Sequence, residues 1–130
     1  EFILPHTRRI FEILAEKAPV QVPTIHFGVG SWAILREMRE AGGDVIAADW
    51  RTPLDEAWDR IGHDRAIQGN LDPTLLLGPQ DRLLRGVDEV LARAGGRPGH
   101  IFNLGHGILP STPLERVQEL AHYVHRQTLR

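Results

Sequence analysis

The chain contains no cysteine, which excludes disulfide bonds, thiolate metal sites and a cysteine nucleophile. This absence is compatible with a cytoplasmic location. The net charge is only −2 with both signs interspersed, so composition indicates neither a nucleic-acid-binding surface nor a polybasic membrane patch. No apolar run approaches the length of a membrane span, and no signal peptide is recognisable. What these absences leave is a globular domain without compositional signs of nucleic-acid or membrane binding.

Length and composition fit one domain over residues 1–130, because 42% of them are hydrophobic and can form a core. The chain begins at Glu1, and its only methionine is Met38. We interpret this start as that of a processed, truncated or fragmentary chain.

Hydrophobic periodicity predicts one helix followed by four strand-and-helix units. The first helix begins at Pro5 and ends near Ala18. Its apolar face consists of Ile10, Phe11 and Leu14. The predicted strands lie at about residues 23–27, 44–49, 65–68 and 100–104. The helical sequence after the third strand reaches about residue 94, with a break predicted at Gly78-Pro79.

Helix starts are predicted where a capping residue occurs. Ser31 is an N-cap candidate for the helix after the first strand. The three later helices each begin with a capping residue followed by proline, at Thr52, Asp72 and Thr112. Thr112 and Glu115 also have the spacing of a capping box.

The strands are short and almost continuously apolar, which predicts burial on both faces and parallel pairing. Two architectures accommodate four such units. One is a small open doubly wound sheet, and the other is half of a (β/α)₈ barrel, which needs roughly 250 residues when whole. On the residues alone the open sheet is slightly favoured.

Polar side chains are predicted to gather at the carboxyl ends of the strands, where α/β enzymes place their sites. His106 is the strongest candidate, because Gly105 and Gly107 leave the backbone free to turn and keep other side chains away. The other candidates at this end are His26, Asp49, Gln68 and Asn70.

Other patterns are weaker. The Gly28–Ser31 turn lacks the third glycine of a dinucleotide fingerprint and the lysine of a P-loop. His122 and His125 are interpreted as a solvated helix face, since no carboxylate or cysteine supports a metal site there. Trp50 follows Asp49 directly and is predicted to line one side of a cleft. No metal site is predicted.

Four segments together resemble one known family in order and spacing. The segment Asn103–Gly107 reads Asn-Leu-Gly-His-Gly and is followed by Leu-Pro and a Thr-Pro helix start. The other three segments are Phe27–Trp32, Ala48–Thr52 and Gln68–Pro73. The chain is therefore similar to the C-terminal portion of the uroporphyrinogen decarboxylases.

The resemblance implies the C-terminal half of a (β/α)₈ TIM barrel, with four parallel strands each followed by a helix. It implies cofactor-free and metal-free removal of carbon dioxide from the four acetate side chains of uroporphyrinogen III, giving coproporphyrinogen III in haem biosynthesis. It makes His106 the catalytic and substrate-binding residue, the one site position of the family that falls inside this chain. Asp49, Gln68 and Asn70 are predicted to line the cleft from their positions at the strand ends. A half-barrel leaves two strand edges unpaired, so we expect a homodimer or association with the missing N-terminal half, in the cytoplasm. Without that half this chain is expected to be inactive.

Two alternatives remain. One is a methyltransferase of the same superfamily, which would need His and Cys zinc ligands although this chain has no cysteine. The other is a catalytically incomplete half-barrel that serves as a binding or assembly module.

Overall fold

The computed structural model describes residues 2–129 and contains four strands in one sheet. The strands are β1 (Ile25–Phe27), β2 (Val45–Ala47), β3 (Ala66–Leu71) and β4 (His100–Leu104). They lie side by side in chain order, and each neighbouring pair is parallel. The prediction of four sequential parallel strands is confirmed. Glu1 and Arg130, the ends of the predicted domain, lie outside the described residues.

Five α-helices accompany the sheet in the described part of the chain. They are α1 (Leu4–Lys17), α2 (Leu35–Ala41), α3 (Leu54–Ile61), α4 (Gln80–Ala94) and α5 (Leu114–Thr128). Short 3₁₀ turns precede α2 at Trp32–Ile34 and α4 at Pro73–Leu77. The second turn ends at the predicted Gly78-Pro79 break, which is therefore confirmed. None of the helices within residues 2–129 is long and apolar enough to cross a membrane.

Helices α2 to α5 pack against one face of the sheet. Ile46 and Ile67, which are paired across β2 and β3, are fully buried beneath them. The helices contribute most of the core through Leu35, Met38, Leu54, Trp58, Ile61, Leu83, Val87, Val90, Leu120 and Val124. Burying these apolar side chains against the sheet is the main source of stability for such a layer.

The opposite face of the sheet is open within the described residues. Ile25 is 48% exposed, Phe27 45% and Ile101 43%, and all three alternate with residues that face the helices. The prediction of burial on both faces is therefore wrong for β1 and β4, although β2 is buried throughout. The helices of this chain cover one face of the sheet, and no segment of residues 2–129 covers the outer strands on the other.

This one-sided layering decides between the two predicted architectures. A doubly wound sheet has helices on both faces and a strand order that reverses at a switch point. A (β/α)₈ barrel has sequential strands with all helices outside. The chain shows sequential order and one helical layer, and its four strand-helix units are half of the eight in such a barrel.

The helix starts differ from the predicted caps. Ser31 stands at the N-cap position of the 3₁₀ turn before α2, as predicted, although its side chain forms no capping hydrogen bond. The N-cap positions of α3 and α5 belong to Pro53 and Pro113, and not to Thr52 and Thr112. Both prolines have extended ψ angles, 131° and 135°, so each helix begins one residue later than predicted. The threonine hydroxyls are then one position too early to reach the first free N–H groups. The capping box at Thr112 and Glu115 is consequently wrong.

The Asp72 cap, in contrast, is confirmed. Its carboxylate accepts hydrogen bonds from the backbone N–H and the hydroxyl of Thr74, each at 2.8 Å. The strand before it is longer than predicted, because Gly69 and Asn70 continue to pair with Phe102 and Asn103. Glycine and asparagine are typical of turns, so the sequence pattern ended β3 too early.

Helix α1 lies on α2 and is only partly buried. Phe11 packs so closely on Gly42 that a Cβ there would lie 2.8 Å from the Phe11 side chain. Ile10 and Leu14 are about half exposed, so the predicted apolar face buries little within the described residues. Phe11 and Leu14 line a cavity of about 570 Å³ at the amino ends of the strands, the end opposite to the predicted site.

The three tryptophans have three different environments. Trp58 is buried in the core, and its indole N–H donates to the Arg65 carbonyl oxygen at 2.8 Å. Trp32 lies under the Arg60 guanidinium, 3.8 Å from ring centroid to guanidinium carbon. Trp50 is half-buried at the carboxyl ends of the strands.

His100 predicts a pH dependence of stability. Its Nε2 donates to the Gly69 carbonyl oxygen at 2.8 Å, and burial lowers its pKa from the ordinary 6.5, against a smaller opposing effect of that hydrogen bond. Below about pH 6.5 the unfolded chain therefore binds a proton at His100 more readily than the folded chain does. The free energy of unfolding is highest above pH 6.5 and declines as the pH falls below it. We expect the melting temperature to drop less between pH 7.5 and 5.5 in His100→Gln than in the wild type. The exposed His122→Gln should keep the wild-type drop, and an equal drop in both variants would contradict the assignment.

Candidate active site

The segments that follow the four strands meet at one edge of the sheet, because the strands are parallel. Three of these segments carry the site: residues 28–34 after β1, residues 48–53 after β2 and residues 105–113 after β4. Side chains from the ends of β1 and β3 complete the site.

Asp49 connects the first two of these segments. Its buried carboxylate accepts a hydrogen bond from the Gly30 backbone N–H at 2.5 Å and one from the Arg51 backbone N–H at 3.1 Å. The Arg51 side chain also reaches it, with Nη1 at 3.4 Å from Oδ2. Asp49 therefore holds two loops together, and the Gly30 N–H is already occupied by a carboxylate of the protein.

Asn70 holds the same loop from β3. Its buried amide donates to the backbone oxygens of Asp49 at 2.8 Å and Thr52 at 2.5 Å. Gln68, two residues earlier, is half-buried and lies in register with Ala47 and Ile101 on the open face. Of the predicted cleft residues, Gln68 thus faces the open side of the sheet. Asp49 and Asn70 instead fix the backbone of the loop after β2.

His106 lies in the turn between β4 and α5, as its glycine-flanked position predicts, and its side chain is exposed. Its ring centroid is 5.7 Å from that of Trp50 and 6.4 Å from that of Phe27, both in edge-to-face orientation. Phe27 belongs to β1, at the far side of the sheet from β4. The sheet therefore curves enough for His106 to reach across its carboxyl ends to the first strand.

Gly105 sets the position of His106. A Cβ on Gly105 would overlap the Trp50 backbone nitrogen and would lie 2.7 Å from the Trp50 Cα. The Gly105 N–H donates to the Leu71 carbonyl oxygen at 2.8 Å, which continues the pairing of β4 with β3. Only glycine allows the chain to pass Trp50 this closely.

His26 does not belong to the site, and its predicted placement is wrong. Its Nδ1 lies 3.1 Å from the carbonyl oxygens of Met38 and Gly42, and its ring packs on Phe11 with centroids 5.1 Å apart. Alternation along β1 turns His26 toward the helices and Phe27 toward the open face. His26 therefore secures the end of α2 instead of meeting a ligand.

The structure adds two residues that the sequence reasoning missed, Phe27 and Arg51. Arg51 is exposed beside a cavity of about 230 Å³ that Trp50, Asn70 and Asp72 also line. Its position directly after Asp49-Trp50 was the available signal. No group of three or more His, Asp or Glu side chains within residues 2–129 is placed to hold a metal ion.

Comparison with known proteins assigns the family. A family model described as uroporphyrinogen decarboxylase (URO-D) matches residues 1–127. The chain belongs to the uroporphyrinogen decarboxylase family. A protein of Sorangium cellulosum named uroporphyrinogen decarboxylase is 53% identical over 125 residues, which cover 96% of this chain and 35% of the relative.

Other uroporphyrinogen decarboxylases match over the same extent. The protein of Carboxydothermus hydrogenoformans is 48% identical over 96% of this chain, and that of Streptomyces coelicolor is 47% identical over 98%. In each case the match covers 35% of the relative, so the chain spans about a third of the length of these decarboxylases. The predicted family is confirmed, and these matches give no added support to the methyltransferase or binding-module alternatives.

Proposed function

We propose that this chain acts as the C-terminal portion of a uroporphyrinogen decarboxylase. The observation that carries the proposal is His106, exposed at the carboxyl ends of the strands and framed by Trp50 and Phe27, in a chain of that family. The proposed reaction removes carbon dioxide from the four acetate side chains of uroporphyrinogen III and gives coproporphyrinogen III. It uses no metal ion or organic cofactor.

The reaction requires control of protons. Protonation of a pyrrole ring carbon makes the ring an electron sink, so the bond between the acetate methylene and its carboxylate can break. Its electron pair moves into the ring, carbon dioxide leaves, and a second proton converts the methylene into a methyl group. The ring carbon then releases the first proton, so each decarboxylation consumes one proton.

His106 is suited to this chemistry in two ways. An imidazole can donate a hydrogen bond to a substrate carboxylate, and histidine exchanges protons near neutral pH. Its exposed ring leaves both functions open to a ligand, while the edge contacts with Trp50 and Phe27 restrict its orientation. One histidine cannot bind eight carboxylates, so further cationic groups are needed to bind the rest of them.

We further propose that residues 1–130 form one domain that works with an N-terminal half of the barrel, in a cytoplasmic homodimer. The open face bearing Ile25, Phe27 and Ile101 supports the need for a partner segment. The test is an assay of the full-length protein with uroporphyrinogen III. We expect four molecules of carbon dioxide per substrate, and no release would overturn the proposal in favour of a binding module.

The variant His106→Ala tests the role of the histidine in that assay. Loss of a hydrogen bond to a carboxylate should lower kcat/KM by about tenfold to 100-fold. Because the side chain is exposed, the stability should change by no more than about 0.5 kcal/mol. The exposed His122→Ala on α5 is the matched control and should keep wild-type kinetics. Full activity of His106→Ala would remove the residue from the site.

A further inference from the structure

The segments after the strands carry a single cationic side chain of the lysine or arginine type. Residues 28–34, 48–53, 72–79 and 105–113 contain only Arg51. The proposed substrate has eight carboxylates, and each carboxylate that reaches this portion of the barrel edge needs a cation or N–H donor. Arg51 is therefore the one residue of its kind that these segments offer there, because Arg93 of α4, which lines the same cavity, is paired with Asp55 at 2.8 Å.

The Arg51 guanidinium is held in place, but few of its hydrogen-bond donors are engaged within the protein. Its central carbon lies 3.8 Å from the centroid of the Trp50 ring, which fixes the plane of the group. Its contact with Asp49 is 3.4 Å, and the side chain is 56% exposed. For comparison, Arg39 and Arg93 bind carboxylates at 2.7 Å and 2.8 Å. Most of the five guanidinium donors of Arg51 remain available to a ligand.

The support beneath Arg51 is rigid. The Asp49 carboxylate is buried and is fixed by the Gly30 N–H at 2.5 Å. The Trp50 backbone is confined by Gly105, and the Trp50 ring also contacts the His106 ring. The Trp50 ring of this loop contacts both Arg51 and His106. Because the loop is already held in place, little conformational entropy is lost when a carboxylate binds to Arg51.

We propose that Arg51 binds a side-chain carboxylate of the substrate, with Trp50 as its platform and Asp49 as its positioning residue. The inference rests on the proposed function and adds a carboxylate subsite to it. The planar guanidinium can bind a carboxylate through two parallel N–H···O bonds. A purely structural role is less suited to the geometry, because an exposed and long ion pair with Asp49 contributes little to stability.

The test is the kinetics of Arg51→Gln and Arg51→Lys in the full-length protein. We expect Arg51→Gln to raise KM for uroporphyrinogen III by about tenfold or more while kcat changes by less than about threefold. Arg51→Lys keeps the charge without the fork and should give an intermediate KM. Arg85→Gln is the matched control, because this exposed arginine lies on α4 and pairs only with Asp81 among the described residues. Equal KM values for Arg51→Gln and Arg85→Gln would overturn the inference.

A binding measurement separates this inference from the proposed function. Equilibrium dialysis measures the affinity of the full-length protein for uroporphyrin, the oxidised octacarboxylate, at low and high salt. We expect Arg51→Gln to weaken binding at least tenfold relative to Arg85→Gln, with the difference shrinking at high salt. Absence of carbon dioxide release with this binding difference intact would refute the decarboxylase but keep the subsite. Release with equal binding and equal KM would refute the subsite alone, and absence of both binding and release would refute both.

Discussion

Gly105→Ala is expected to destabilise the protein by about 3 kcal/mol or more. The added carbon would overlap the Trp50 backbone nitrogen, an overlap that no rotamer change can relieve. Either the β4–α5 turn or the β2–α3 turn must move, and movement of the β4–α5 turn would break the Gly105 hydrogen bond to Leu71. The measurement is chemical unfolding of the full-length protein, and loss of His106 from its position should lower activity as well.

Gly107→Ala is the control two residues along the same turn. Apart from Gly107 itself and its two chain neighbours, no residue has an atom within 4 Å of a Cβ built there, so the free energy of unfolding should change by no more than about 0.5 kcal/mol. Similar destabilisation in both variants would mean that the turn resists side chains in general. It would then contradict the specific contact between Gly105 and Trp50.

The 130-residue chain by itself is expected to show no turnover and to associate with itself at micromolar concentration. Strands β1 and β4 each have one hydrogen-bonded neighbour among the described residues, so each leaves a row of N–H and C=O groups unpaired. Ile25, Phe27 and Ile101 expose apolar surface beside these edges. Edges of this kind recruit further strands. Sedimentation of the isolated chain measures the association, and the decarboxylation assay measures the activity.

Ile101→Glu tests whether the open sheet, and not exposed apolar surface in general, causes this association. The charge on the open face should reduce the association of the isolated chain, since it opposes close approach of a second apolar sheet. Val20→Glu, at an exposed apolar residue away from the sheet, is the matched control and should leave the association unchanged. A monomeric wild-type chain would refute the role of the open edges, and turnover near that of the full-length protein would refute the need for the N-terminal half.

The order and direction of the strands could be predicted from the sequence because each unit carries its own signals. Apolar runs bounded by turn residues define the strands, and intervening helices require parallel pairing. The position of His106 followed from the same reasoning, since a residue flanked by glycines after such a run lies in the turn. These features depend on local sequence and chain connectivity, which the sequence contains in full.

The direction in which side chains point was harder to predict. In β1 the residues on both sides of His26 are apolar, so hydrophobicity does not reveal which set faces the helices. The exposed Phe27 depends on which segments cover the sheet, and this is a tertiary property. Arg51 was missed for a similar reason. Its importance lies in its stacking on Trp50 and its place beside His106, which spacing alone does not show.

The three unlike tryptophan environments make the protein its own optical probe. Trp58 is buried in the core and Trp32 lies beneath Arg60, and among the described residues neither ring stacks on His106 or on Arg51. Replacing both by phenylalanine would leave Trp50 as the only indole among these 130 residues. Emission from that one ring, which contacts both the Arg51 guanidinium and the His106 imidazole, would then follow the arrival of a ligand in real time.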